Sequence, residues 1–257
     1  MTELNYSCTG EGPPLLILHG LFGSGKNWST LARRFSGHFQ VFCVDLRNHG
    51  QSFHDTRMNY AVMAEDVVRL MSSLDLPSSS ILGHSMGGKV AMTVLMQRPD
   101  LVSRLLVADI APVTYRHEYD DLIDPILALD LPTYANRTEI DHALRANIPE
   151  DQLRAFLLHN LARTPEGWAW RVNWSAIQDN MDVLVGFDAL AEDWRSDVPT
   201  LFLRGARSGY VGDAEIEVIE RHFSNARIAT LEEAGHWLHA ERPEDFFAEA
   251  ARFLQGG

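Results

Sequence analysis

Cysteine is nearly missing from this chain of 257 residues, which has only Cys8 and Cys43. A disulfide scaffold is therefore excluded, and Cys43, inside the apolar run Val41-Phe42-Cys43-Val44, reads as a small buried hydrophobe. Long apolar runs are missing too, none approaching the ~20 residues that a membrane-spanning helix needs. The N-terminus, Met1-Thr2-Glu3-Leu4-Asn5, lacks the basic and apolar regions of a secretory signal, so no membrane span and a cytoplasmic location are expected. Positive charge is in deficit: 22 Lys and Arg face 35 Asp and Glu, a formal net charge of −13. That balance argues against nucleic acid or an anionic membrane surface as the partner. Internal repeats and low-complexity segments are not evident.

What is present is an alternation of short apolar runs and helical patterns. Leu15–Leu18, Val41–Val44, Ile81–Leu82 and Leu105–Ala108 read as strands buried on both faces, and Thr200–Leu203 and the weaker Ala226–Leu231 run continue the series. Tyr60–Leu74, Met86–Gln97 and Pro243–Phe253 read as helices, Pro99 marking the end of the second. Such alternation predicts a mostly parallel sheet with helices on both faces. The alternation breaks between about Ala111 and Asp197, too long a stretch for a plain connection. There Pro149 and the acids after it open a helix with Leu153, Phe156, Leu157 and Leu161 on one face, and Thr138 with Asp141 resembles a capping box. The expected organisation is a core of residues 1–111 and 198–257 with an inserted helical cap, 112–197.

Gly83-His84-Ser85-Met86-Gly87 fits G-x-S-x-G between a strand and a helix, the context that gives this motif its meaning. A sharp strand-to-helix turn lifts the serine hydroxyl off the sheet edge, and the helix start supplies free N–H groups. Ser85 is thereby the candidate nucleophile. A serine hydroxyl needs a base, which in this architecture comes last in the chain. Of eleven histidines, His236 follows the last strand and precedes the final helix. His222 reads as a charge at a helix end, and a His236-x-x-His239 metal pair with Glu241 lacks further ligands, so no metal and no cofactor are expected.

The base in turn needs a carboxylate. The usual position after the post-insertion strand is Gly205-Ala206-Arg207-Ser208, with serine where Asp is expected. Two acids are candidates: Asp213, which reads as a helix N-cap, and Asp109, at the end of the strand before the insertion. The strand end favours Asp109. For the developing oxyanion, the N–H of Met86 and that of Leu21, in the His19-Gly20-Leu21-Phe22 loop, are the expected donors, with Phe22 the neighbouring choice. Phe22, His84 and Trp237 are expected to touch substrate.

Several decoys need weighing. Gly20 to Asn27 spells G-x-x-x-x-G-K but ends in Asn, and Asp45 after its strand imitates a nucleotide-site acid; neither explains Ser85 or His236. Asp45, Arg47 and His49 read as a loop-stabilising set and Lys89 as structural. Trp168, Trp170 and Trp174 read as core, with one of them a candidate for facing an acyl chain.

The blocks His19–Ser24, Asn27-Trp28, Asp45–Ser52, Gly83–Lys89, Ala108–Val113 and Ser208–Val211 occur in an order that resembles the bacterial YbfF-type esterases and their mitochondrial abhydrolase relatives. The resemblance spans nearly the whole chain and is least specific in the insertion. It implies an α/β-hydrolase fold with a helical cap inserted after the strand ending near Asp109. It also implies a serine hydrolase of small or medium acyl esters, or of acyl-CoA thioesters, with Ser85, Asp109 and His236 as its triad. Ser208 would then hydrogen-bond near the acid and base. Carbon–carbon bond hydrolysis, a perhydrolase side activity and a noncatalytic ligand-binding relative are the other readings.

Overall fold

The computed structural model describes residues 3–115, 120–187 and 190–256. Along the chain, β1 (Tyr6–Thr9) and β2 (Pro14–Leu18) lead through α1 (Ser29–Phe35) to β3 (Gln40–Val44); α2 (Tyr60–Ser73), β4 (Ser79–His84), α3 (Met86–Gln97) and β5 (Val102–Ala108) follow. Then come α4 (Asp120–Leu127), α5 (Arg137–Leu144), α6 (Asp151–Leu158), the hairpin β6 (Leu161–Thr164) and β7 (Gly167–Trp170), α7 (Trp174–Asp179) and α8 (Met181–Val185). The sheet resumes with β8 (Thr200–Gly205), α9 (Asp213–His222) and β9 (Ala226–Leu231), and the chain ends through α10 (Leu238–Glu241) and α11 (Pro243–Leu254).

The large sheet has seven strands in the order β1-β3-β2-β4-β5-β8-β9. All neighbours pair in parallel except β1, which is antiparallel to β3. Alternating side chains divide the interior into two cores. Leu16, Leu18, Phe42, Val44, Ile81, Leu105, Val107 and Phe202 face α2, α3 and residues of the 120–187 stretch. Leu15, Ile17, Val41, Cys43, Leu82, Leu106, Leu201 and Leu203 face α1 and α11. Cys43 sits in the second core, where burial pushes its thiol up to about 12; it packs as a hydrophobe.

Helix boundaries follow local chemistry. Asn59 caps α2 by accepting the Val62 N–H, and the helix buries Tyr60, Met63, Val67, Leu70 and Met71 along one face. In α3 every residue from Met86 to Leu95 is buried, which explains a sequence apolar on all sides apart from Lys89 and Thr93, both hydrogen-bonded to backbone carbonyls.

Three expectations change between β5 and β8. The stretch includes the β6–β7 hairpin as well as helices. α6 stops at Leu158, so Leu161 starts β6 instead of extending the helical face. The cap of α5 is Asn136, which accepts the Glu139 N–H, while Asp141 pairs with Arg154 at 3.0 Å. Asparagine is as good a cap as threonine, and it stands where the backbone is already extended. Edge strand β1 had no apolar signature, its side chains being mostly exposed. Among the described residues, no helix is long and apolar enough to cross a membrane.

Candidate active site

Every group of the site stands at the carboxyl end of a parallel strand, beside the point where the winding reverses between β2 and β4. His84 and Ala108 are register partners at the ends of β4 and β5, so Ser85 and Asp109 leave the sheet side by side. Each is tied to the next strand by its amide: Ser85 N–H donates to Ala108 O at 3.0 Å and Asp109 N–H to Leu203 O at 2.9 Å. Both have left-handed backbones, φ 51° at Ser85 and 53° at Asp109. Non-glycine residues adopt this region at a cost on the order of 1–3 kcal/mol, and here the paired strands enforce it. The elbow is possible because a Cβ on Gly83 would lie 2.2 Å from Gly87 O, and one on Gly87 2.3 Å from Leu18 O. No other residue fits there.

His236, in the loop after β9, bridges the two. Its Nδ1 lies 2.8 Å from Asp109 Oδ2 and its Nε2 3.1 Å from Ser85 Oγ. A carboxylate only accepts, so Nδ1 carries the proton and Nε2 is left to accept from the serine hydroxyl. Asp109 is buried and its two oxygens are fully engaged: Gly205 N–H donates to Oδ1 at 2.9 Å, and the Ser208 hydroxyl donates to Oδ2 beside His236. Asp213 instead lies exposed in the first turn of α9, where Gly212 holds the N-cap position in its place.

The loop after β2 is held in a set shape. Phe22 has φ 62°, and both its backbone groups are committed: its N–H donates to His49 Nε2 at 3.1 Å, and its C=O accepts from Asn160 Nδ2 at 2.8 Å. Phe22 therefore has no amide to offer an oxyanion. The N–H of Leu21 is not so engaged among the described residues, and that of Met86 is a first-turn amide of α3 with no intrahelical partner.

A cavity of about 310 Å³ opens over Ser85, walled by Leu21, Phe22, Trp28, Phe156, Trp237 and Leu122 among others. Four histidines, His19, His84, His236 and His239, also reach it. Burial, followed by the nearby His239 and His236, pushes His84 well below its ordinary value; its Nε2–H donates to the backbone carbonyl of His236 at 2.8 Å. Burial lowers His19 too, and burial with His236 lowers His239 to about 3, its ring stacked at 4.2 Å on Trp28. His84, expected to touch substrate, thus lines the cavity and also anchors the His236 loop. Glu241 accepts from the Gly235 and Trp237 amides.

The remaining candidates are structural. Asp45 accepts from Gly25 N–H at 2.7 Å, Gln51 N–H at 2.9 Å and Asn5 Nδ2 at 2.8 Å, filling with its own carboxylate the turn that mimics a phosphate loop. Arg47 forms a two-pronged pair with buried Asp66. His49 donates to Arg47 O from Nδ1, and burial followed by His19 drops it to about 3. His222 is buried with Nδ1 on Trp194 O at 2.8 Å, an anchor instead of an exposed charge at the helix end. Lys89 is buried and donates to Val185 O at 3.0 Å and Gly186 O at 2.8 Å. Trp174 packs on Phe22 at 4.8 Å, and neither it nor Trp168 or Trp170 lines the cavity.

Two contributors escaped the sequence reading. Tyr210 stacks on the His236 ring at 4.1 Å, and the Tyr115 hydroxyl donates to Tyr210 O at 2.6 Å. Asn160 is the other. Only the Gly209-Tyr210 pair, next to Ser208, carried a sequence signal.

A family model described as the alpha/beta hydrolase fold matches residues 13–243. The sn-1-specific diacylglycerol lipase ABHD11 of Danio rerio is 36% identical over 255 residues, spanning 96% of this chain and 80% of its own length. Esterase YbfF of Escherichia coli is 33% identical over 242 residues, spanning 94% and 92%. Among solved structures, a marine microorganism esterase superposes with a TM-score of 0.95 at 40% identity, covering 99% of this chain and 100% of that one.

Proposed function

This chain belongs to the α/β-hydrolase fold family, among its esterase- and lipase-type enzymes, and from that premise we propose that it is a serine carboxylic ester hydrolase of small molecules. The observation that carries the proposal is the unbroken hydrogen-bonded line Asp109–His236–Ser85, which ends at a cavity. His236 takes the Ser85 proton as the hydroxyl attacks the ester carbonyl. Asp109 keeps the imidazole in the tautomer that can accept and stabilises the imidazolium that forms. The Leu21 and Met86 N–H groups receive the oxyanion, a contribution usually worth ~3–4 kcal/mol per donor. His236 then protonates the leaving alcohol, and water activated by the same ring releases the acid. The 112–197 insertion acts as a cap, contributing Leu122, Leu153 and Phe156 to the walls. Ester is favoured over acyl-CoA thioester because, among the described residues, the larger cavity over Ser85 is lined by no Lys or Arg that would meet the CoA phosphates.

Ser85→Ala is expected to lower p-nitrophenyl ester turnover by roughly 10⁶-fold and to abolish labelling by a fluorophosphonate probe. Turnover surviving in the folded variant would exclude Ser85 as nucleophile.

A further inference from the structure

Ser85 lies where two chambers meet. Besides the cavity of about 310 Å³, a second of about 40 Å³ reaches it, and the two share Leu21, Ser85 and Tyr210 as walls. Their remaining linings differ. His236 lines the larger chamber, whereas the smaller is lined by Met86, Ile110, Met181, Leu184, Lys89 and Tyr115 among others.

This asymmetry assigns the two ends of an ester. When the tetrahedral intermediate collapses, the bond from the carbonyl carbon to the alcohol oxygen breaks, and that oxygen takes the proton held on His236 Nε2. The alcohol must therefore lie on the side that His236 lines, which is the larger chamber. The oxyanion takes the Leu21 and Met86 amides, leaving the smaller chamber for the acyl tail. A cavity of ~150 Å³ holds benzene and one of ~10–15 Å³ a single water, so 40 Å³ accepts about one to three carbons beyond the carbonyl. Lys89, one helical turn beyond Ser85, limits a longer tail: its ammonium is already engaged by two carbonyls and lies 4.9 Å from the Tyr115 ring centre. The larger chamber, walled by Phe22, Phe156 and Trp237, fits a ring-bearing apolar alcohol.

We propose that the substrates are short-chain acyl esters, acetyl to butyryl, of bulky apolar alcohols, with the smaller chamber as the acyl site. The proposal rests on the serine-hydrolase reading above.

Two ester series on the full chain test it: p-nitrophenyl acetate, butyrate, hexanoate and octanoate, and the acetates of ethanol, benzyl alcohol and 2-naphthylmethanol followed by acid release. Expected is a fall in kcat/KM of about tenfold or more from butyrate to octanoate, and a rise of about tenfold from ethyl to 2-naphthylmethyl acetate. Leu184→Ala should extend the tolerated acyl chain by about two carbons without changing the order of the alcohols. Octanoate turned over as well as butyrate, no gain with alcohol bulk, or an unchanged acyl profile in folded Leu184→Ala would each overturn the assignment. No turnover of any ester, together with no fluorophosphonate labelling, would instead overturn the reading of Ser85.

Discussion

The two halves of the site are built on different principles. The sheet-borne half (the loop after β2, Ser85, Asp109, Ser208 and His236) is fixed by parallel register and by backbone held in left-handed φ at Phe22, Ser85 and Asp109. The half between β5 and β8 supplies only walls, such as Leu122, Phe156, Met181 and Leu184. It is joined to the sheet-borne half by a shared apolar core and by hydrogen bonds, including Asn160 Nδ2 to Phe22 O at 2.8 Å, Asn173 N–H to Asn48 O at 2.9 Å and Lys89 Nζ to Gly186 O at 2.8 Å. Chemistry that needs placement to a fraction of an ångström sits on strand ends, while recognition surfaces are supplied by the segment packed over them.

The sharpest way to break this contrast is at the acid. Asp109→Asn should lower kcat by about 10⁴-fold by allowing the wrong His236 tautomer, whereas exposed Asp213→Asn should leave kcat within about twofold. Equal effects in steady-state assays would mean that strand-end placement is not what matters.

Acid provides a second test. The ordinary histidine value is 6.5, and burial lowers both His49 and His239 to about 3. Between those values the unfolded chain binds protons that the folded chain refuses. Stability is therefore complete above about pH 6.5 and falls as pH drops toward 3, on the order of 1 kcal/mol per pH unit for each histidine. Both groups lie in the sheet-borne half. His49→Gln keeps a donor and an acceptor, and it should make urea midpoints depend less steeply on pH from 7 to 4.5; an identical slope would remove His49 from the acid response.

The smallest effect probes the seam. Asn160→Leu strands the Phe22 carbonyl, a loss of ~1–3 kcal/mol. Because Phe22 positions the Leu21 amide, the loss should appear as about a tenfold lower kcat with KM nearly unchanged, and as weaker binding of a boronic acid transition-state analogue. A higher KM at constant kcat would make Asn160 only a wall support, and the two halves would be independent.

Legibility followed the same division. The strands near 15–18, 41–44, 105–108 and 200–203 were readable because residues buried on both faces must be apolar, whereas edge strand β9, only partly buried, gave a weaker apolar run. The elbow at Ser85 was readable because a turn this tight leaves its mark in glycine, and His236 because it comes last in the chain; Asp109 rested on its strand end and on the family resemblance, since chain order fits Asp213 equally. The β6–β7 hairpin, the Asn136 cap and the Asn160 contact were not. Leu161 and Phe156 look alike in a helical count, and the partner of Asn160 lies 138 residues away. β1 escaped because an exposed edge strand needs no apolar pattern.

Asp109 and Ser208, carried by adjacent strands, touch at one carboxylate oxygen, Oδ2, the atom that also meets His236. One oxygen atom thus carries the traffic of two side chains, a hydroxyl and an imidazole, that arrive from different strands. Removing the Ser208 hydroxyl would leave that oxygen to the imidazole alone, so a residue outside the Asp109–His236–Ser85 line sets how firmly the ring is held.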